Sequence, residues 1–400
     1  MATLPPNGRV PIPRTVWALG FVSMFMDISS EIIHSLLPLF LTTTLGVSVA
    51  VVGLIDGFAE ATASISKVFS GYIADRMGRR KPLILLGYGL GALSKPFFAL
   101  AMTAPVIIGA RFADRIGKGL RGAPRDALVA ECTPPEIRGR AFGLRQSLDT
   151  IGAFAGPLAA IGLMALLAND MRMVFWVSVV PAVLAVLCVV FGVKDSKPRQ
   201  EAPVVRAPIQ ISDLKRLPRG FWNVTGIGVV FTLARFSEGF LILKANAEGL
   251  PLTLAPLVLV VMNLVYALGA YPAGGLSDRM PARTLLFWGL ACLIAADLSL
   301  ALIAGLGGSF LGIALWGAHM ALTQGLLAKL VADHAPSDLR GSAFGIFNLV
   351  TGLAMLFASV IAGLLWDRIG SNATFLAGAG FAALALVVTM AGGRRQVVQC

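Results

Sequence analysis

The sequence predicts an all-α membrane protein, with twelve transmembrane helices arranged as two pseudo-symmetric six-helix bundles. Three observations predict it. The composition is 56% hydrophobic and 14% charged over 400 residues, with mean hydropathy +0.80, where a water-soluble domain carries about 25% charged residues. Apolar stretches of about 20 residues, the length needed to cross a bilayer, recur along the whole chain. Short motifs of the first half return in the second at a nearly constant offset.

Taken in order, spans are expected at 15–42, 48–74, 82–103, 105–131, 137–168 and 172–193, then at 221–244, 252–277, 283–304, 307–333, 341–366 and 372–393. Glycine and proline inside several of them are compatible with lipid, because neighbouring helices re-satisfy the freed backbone groups. Residues 194–220 are polar, basic and proline-containing, so they read as a linker between a bundle at 1–193 and a second at 221–400. The first span is long and no small-residue cleavage site follows it, so no cleaved leader is expected.

Basic residues sort to one face of this arrangement. Arg76, Arg79, Arg80, Lys81, Arg138, Arg140, Lys194, Lys215, Arg216 and Arg283 fall on the linker side, against Arg172, Lys244 and Arg368 opposite. The positive-inside rule then puts both termini in the cytoplasm of a multi-pass inner-membrane protein. It also accounts for the net charge of +12 without a nucleic-acid partner. The cysteines Cys132, Cys188, Cys292 and Cys400 have no paired spacing and read as packing residues or free thiols.

The repeats are specific. Gly71-x-x-x-Asp75-Arg76 recurs as Gly274-x-x-x-Asp278-Arg279, and Leu128-Val129-Ala130-Glu131 as Leu330-Val331-Ala332-Asp333. Arg138-Gly139-x-Ala141-Phe142-Gly143 recurs as Arg340-Gly341-x-Ala343-Phe344-Gly345, and Ser30-Glu31 more weakly as Ser237-Glu238, with offsets of 202 to 207 residues. Parallel six-helix repeats enclosing a site at their interface are an architecture of transporters.

Along essentially its whole length the chain resembles the major facilitator superfamily. Gly71-Tyr-Ile-Ala-Asp75-Arg76-Met-Gly78-Arg79-Arg80-Lys81 is similar to that family's loop motif between helices 2 and 3. The resemblance implies a gate: Asp75 facing the N-terminus of helix 11, which is electropositive, and Arg79 or Arg76 pairing with Glu131. Asp278, Arg279 and Asp333 would be the second-half counterparts. Ala110-Arg111-Phe-Ala-Asp114-Arg115-Ile-Gly117 resembles the helix 4 motif whose arginine is linked to proton transfer, but Asp114 and Arg115 stand where the family usually has Gln and Gly. Gly152-x-x-x-Gly156-Pro157 resembles the helix 5 motif of proton-exchanging exporters. Its glycines permit close helix packing. The family is mostly monomeric.

Charges inside a bilayer mark pathways or pair with one another. The first span carries Asp27, Glu31 and His34 on one face, and the second Asp56 and Glu60. Asp149 lies in the fifth. On the fourth, Arg111, Arg115, Lys118 and Arg125 form one basic stripe, flanked by Asp114, Arg121 and Asp126. Two readings compete. The stripe either binds an anionic solute through bidentate arginine or neutralises the nearby carboxylates. The candidate solute-binding set is Arg111, Arg115, Lys118, His34 and Glu60, with Arg235 and Glu238 from the second half. Asp27, Glu31 and Asp149 are the candidate proton carriers. Solute on an arginine would free a carboxylate to take a proton, which is the logic of antiport.

The expected function is secondary transport of a small solute, an organic anion or drug-like compound, by proton-coupled export. The alternative is an importer of a transition metal or metabolite, for which Met24, Met26, His34, His319 and Met320 are the soft ligands. A membrane-embedded enzyme is less favoured, since neither an HExxH nor a GxSxG pattern occurs. No cofactor and no resident metal are expected.

Overall fold

The computed structural model describes residues 11–77, 79–195, 211–277, 280–336 and 339–392. The first half contains α1 (Arg14–His34), α2 (Val49–Met77), α3 (Lys81–Leu100), α4 (Ala104–Cys132), α5 (Arg138–Leu166) and α6 (Met171–Gly192). The second contains α7a (Arg219–Leu233) and α7b (Gly239–Ala247), then α8 (Leu257–Ser277), α9 (Ala282–Leu302), α10 (Gly305–His334), α11 (Arg340–Arg368) and α12 (Ser371–Gly392). Among the described residues ten helices are long and apolar enough to cross a membrane. The remaining two crossings are α4 and the α7 pair. At 29 residues α4 is about 43 Å long, and only its charges set it apart.

Packing repeats between the halves. In the first, α1 lies against α5 and α6, α3 against α4 and α6, and α2 against α4; in the second, α7a lies against α11 and α12, α9 against α10 and α12, and α8 against α10. The sequence repeat thus becomes a repeat of tertiary contacts.

Two spans depart from the continuous helices expected. At the far side of α1 the helix stops at His34, resumes over Leu37–Leu39 and ends in a π-helical turn, Phe40–Thr44. Pro38 explains the interruption, because proline disfavours helical geometry in the residue before it and cannot donate to the preceding turn. The seventh span, expected unbroken over 221–244, is interrupted at 234–238. No glycine or proline stands there. The break is held from outside: the Ser237 N–H donates to Ser359 Oγ (3.3 Å) and the Ser237 hydroxyl to Asp56 Oδ2 (2.7 Å).

Among the described residues, besides the packing of α7b on Leu37–Leu39, two helix pairs join the halves, and they differ. We call the side where α1 and α7a begin the linker face, and the opposite side the far face. Antiparallel α2 and α11 pack along their length, close enough that a Cβ on Gly57 would sit 2.9 Å from Leu356 Cα, and one on Gly363 2.6 Å from Ala50 Cα. At the far face the Asp367 carboxylate of α11 accepts from Val49 N (3.1 Å) and Ala50 N (2.8 Å), capping α2 across the interface. Helices α5 and α8 touch far more sparsely. Their far ends are tied by Thr253 Oγ1 donating to Asn169 Oδ1 (2.6 Å). Midway along their length a cleft lies between them.

Candidate functional site

The site begins with the α1–α5 contact. A Cβ on Gly152 would lie 2.6 Å from Met24 O and 3.0 Å from Asp27 Cβ, and one on Gly156 2.6 Å from Glu31 Cβ. The two glycines therefore set α5 directly on the acidic face of α1. On that face His34 Nδ1 lies 3.5 Å from Glu31 Oε2. Pro157 follows inside the helix.

The α4 stripe does not present bare charge to a cavity. Arg111, at 3% exposure, pairs with Asp56 (3.3 Å), and Arg115, at 5%, with Glu60 (3.1 Å). Arg125 meets Asp126 at 3.1 Å and Asp149 at 3.7 Å. Arg121 is buried with its guanidinium 4.6 Å from the centre of the Tyr88 ring, a cation–π contact. Two buried cations absent from the sequence reading complete the network. Lys95 of α3 donates to Asp114 (2.9 Å) and to Ser30 Oγ (3.0 Å), and Arg145 of α5 reaches Asp149 (3.4 Å) and Asp126 (3.6 Å). Both were readable, since a charge within a predicted span is itself a signal.

Basic Lys95, Arg111, Arg115, Lys118, Arg121, Arg125 and Arg145 thus stand with acidic Asp27, Glu31, Asp56, Glu60, Asp114, Asp126 and Asp149, equal in number though not paired one to one. Burying ions is tolerable only with partners of this kind. Three groups are left without an ion pair among the described residues: Asp27, Lys118 and Arg121, whose guanidinium meets the Tyr88 ring instead. Asp27 makes no ion pair and no hydrogen bond among the described residues, and neither does Lys118, which is exposed. Lys118 lies within electrostatic reach of Asp27, Glu31 and Glu60.

Asp27 and Asp149 form the floor of the α5–α8 cleft, about 460 Å³ in volume. Its walls are Ile151, Phe154, Leu158 and Ala155 of α5 and Leu264, Tyr266 and Ala267 of α8, with Gln146, Thr150 and Asn263 as polar points. Apolar walls with a few convergent polar groups are the usual form of a small-molecule site. Of the expected second-half residues, Arg235 and Glu238 pair with each other (3.5 Å) at the α7 break rather than joining the α4 network. Arg235 also lines a separate cavity of about 240 Å³ with Phe231, Thr232, Asn348 and Thr351.

The expected gate is changed in one partner. Glu131 is joined by Arg80 (3.1 Å), not by Arg79 or Arg76. Arg80 opens α3 beside the end of α4, whereas Arg76 is exposed at the end of α2, its guanidinium 3.5 Å from Tyr72 of its own helix. Arg79 is exposed too, as is Asp333. The Asp75 side chain and both Asp278 and Arg279 lie outside the described residues. His34 belongs to α1, whereas His319 is buried in the other half with Nδ1 2.8 Å from Gly289 O. Among the described residues no group of three or more His, Cys, Asp or Glu side chains could hold a metal ion.

Comparison with known proteins agrees with this architecture. Residues 19–359 and 249–396 match the Major Facilitator Superfamily. The chain is 31% identical over 373 residues to an uncharacterized MFS-type transporter of Methanocaldococcus jannaschii, covering 92% of each sequence. It is 28% identical over 352 residues to the multidrug resistance protein MdtH of Yersinia enterocolitica, covering 84% of this chain and 80% of that one. The fold matches a crystal structure of the nucleoside transporter NupG with TM-score 0.81 at 14% identity, over 94% of this chain and 99% of that one. With twelve helices in two repeated halves, a polar core inside the bundle and this match along its length, the chain belongs to the major facilitator superfamily of membrane transporters.

Proposed function

We propose that this transporter exports a small amphipathic solute across the inner membrane in exchange for protons, by alternating access. The observation that carries the reading is Asp27: a carboxylate with no ion-pair partner, lining an apolar-walled cleft, in a first-half network whose other acidic groups are all paired. Such a group can bind either a proton or the polar end of a solute, and that exclusion is what couples opposite fluxes. Lys118 offers the complementary charge. Glu31 and Asp149 flank the carrier, and the buried Arg111 and Arg115 hold the carboxylates in place rather than taking solute themselves. The resemblance of Gly152, Gly156 and Pro157 to the exporters' motif and the similarity to MdtH support export of drug-like compounds.

In this reading the linker face is cytoplasmic, following the basic residues, and the Asp367 and Asn169 contacts close the outside. Residues 1–193 and 221–400 are the moving bodies, 194–220 their tether, and the working unit is one chain. Arg80–Glu131 belongs to the inner gate.

The test is reconstitution into liposomes holding a pH-sensitive dye, with a panel of amphipathic cations, zwitterions and anions added under a proton gradient. Wild type should release protons with one class of compound, and Asp27→Asn should lose that release while still binding the compound. Release that survives in Asp27→Asn sinks the proposal.

A further inference from the structure

The second half contains an acid that the transport reading leaves idle. Asp297 of α9 is 0% exposed, and neither carboxylate oxygen has a hydrogen-bond partner among the described residues. It lies against the α7 break: a Cβ built on Gly378 of α12 would meet Asp297 Oδ2 at 2.7 Å and Phe236 Cε1 at 3.0 Å. Phe236 belongs to the interrupted segment, is 3% exposed, and packs edge-on to Phe240 and Phe375 and tilted to Trp316, with centroids 5.3–5.5 Å apart.

The surroundings restrict what Asp297 binds. No charged group answers it. Around the break Arg235 and Glu238 are paired to each other. From α10, His319 turns Nδ1 to Gly289 O and stacks on Phe231. Helix α12 has no titratable side chain from Ser371 to Gly392, and α8 offers only Tyr266 and Tyr271. An ionised carboxylate in so dry a place is too costly, and such a group neutralises instead. Nor does Asp297 line either the α5–α8 cleft or the Arg235 cavity. A proton is the ligand that needs no volume.

The cover has a handle. Ser237, next to Phe236, donates its hydroxyl to Asp56 of α2 in the other half, and Asp56 pairs with Arg111. Any movement that draws α2 away from the break releases Ser237 and, one residue on, the Phe236 ring. The site is thereby connected to the relative position of the two halves.

We propose that Asp297 is a second proton-binding site, closed in this conformation by Phe236 and opened when α2 withdraws from the α7 break. It requires alternating movement of the halves, as membership of this transporter superfamily implies, but it does not rest on Asp27 as carrier.

Infrared difference spectroscopy on the purified protein across a pH titration tests it without knowledge of the solute. A dry, unbonded carboxylic acid gives a C=O stretch at higher frequency than a hydrated one. Wild type should show that band at neutral pH, Asp297→Asn should lose it, and Asp27→Asn should keep it. Asp297→Glu, a milder change, should shift the band, which covers the case in which the asparagine variant does not fold. Phe236→Ala should lose the band at lower pH than wild type, as water reaches the acid. A wild type without the band, a band that survives in Asp297→Asn, or identical titrations in Phe236→Ala and wild type would each overturn the proposal. Failure of the Asp27 reading would show instead in dye release, with this band unchanged.

Discussion

Replacing Asp367 by alanine removes the carboxylate that ties α11 to the start of α2 at the far face. The magnitude follows from the contacts. Val49 and Ala50 present free first-turn N–H groups to Asp367 at 3.1 and 2.8 Å. A helix cap of this kind stabilises by about 1 kcal/mol, and a negative charge at a helix N-terminus adds a few tenths more when exposed. Asp367 is exposed, so salt screens part of this and water hydrates the amides once the cap is gone. About 1 kcal/mol is the net expectation, a change of about fivefold in a conformational equilibrium. Because the two bonds join the halves, the loss falls on the conformation closed at the far face and favours one open there.

The assay is a pulsed electron–electron distance measurement. Spin labels at Met102 and Leu302 suit it, being 76% and 68% exposed at far-face helix ends of opposite halves, after replacement of the native cysteines. The longer-distance population should rise about fivefold in Asp367→Ala. Asp367→Asn, which keeps an acceptor but not the charge, should give a smaller rise. High salt should narrow the gap between Asn and wild type. An unchanged distance distribution in Asp367→Ala would refute the claim that the cap holds the far face shut.

Lys95→Met should destabilise the detergent-solubilised protein by about 3–5 kcal/mol, the usual result of stranding one partner of a buried ion pair. Adding Asp114→Leu should recover much of the loss, and a double variant no better than the single would exclude direct pairing as the cause. The Glu248 carboxyl, at the turn after α7b, is held below the usual carboxylate range by the hydrogen bond from Lys244, and next by that from Gly305 N. A lowered folded value gives a contribution present above the unfolded value, about 4.3, and lost as pH falls through the folded one. The stability advantage of wild type over Glu248→Gln, read from thermal unfolding, should therefore be full at neutral pH and vanish in acid. An advantage that grew on acidification would reverse the assignment.

Ten of the twelve spans were legible as single elements, because an apolar run of bilayer length admits few other conformations in lipid; the first span's break follows from Pro38, which was in view. The α7 break was not. Ala234-Arg235-Phe236-Ser237-Glu238 contains no helix breaker, and its geometry is bound up with Asp56 and Ser359, residues 181 and 122 positions distant. Local pattern holds no record of such contacts. The charges of the site were legible as a set but not as pairs. Periodicity aligned Arg111, Arg115, Lys118 and Arg125 on one face of α4. It could not say that α2 and α5 would meet that face with Asp56, Glu60 and Asp149 and leave Lys118 without an ion pair. Gly152 and Gly156 were legible in part. Their spacing signals close packing, and the structure adds that they pack on Asp27 and Glu31.

The division of labour between the halves follows from these pairings. The first half contains nearly all the buried charge, and most of that charge is mutually bonded, so it resists rearrangement: moving one ion strands another. The second half is apolar around the α7 break, with hydrogen bonds few and aromatic rings in contact, and rings slide past one another at little cost. The polar network reaches that softer region through Asp56, which holds Arg111 with one oxygen and Ser237 with the other. A binding event at the α1–α5 face that shifts α2 or α4 therefore has a physical route to the break, one hydroxyl long. Rigid charge on one side and a yielding aromatic joint on the other form a lever, and Asp56 is where they touch.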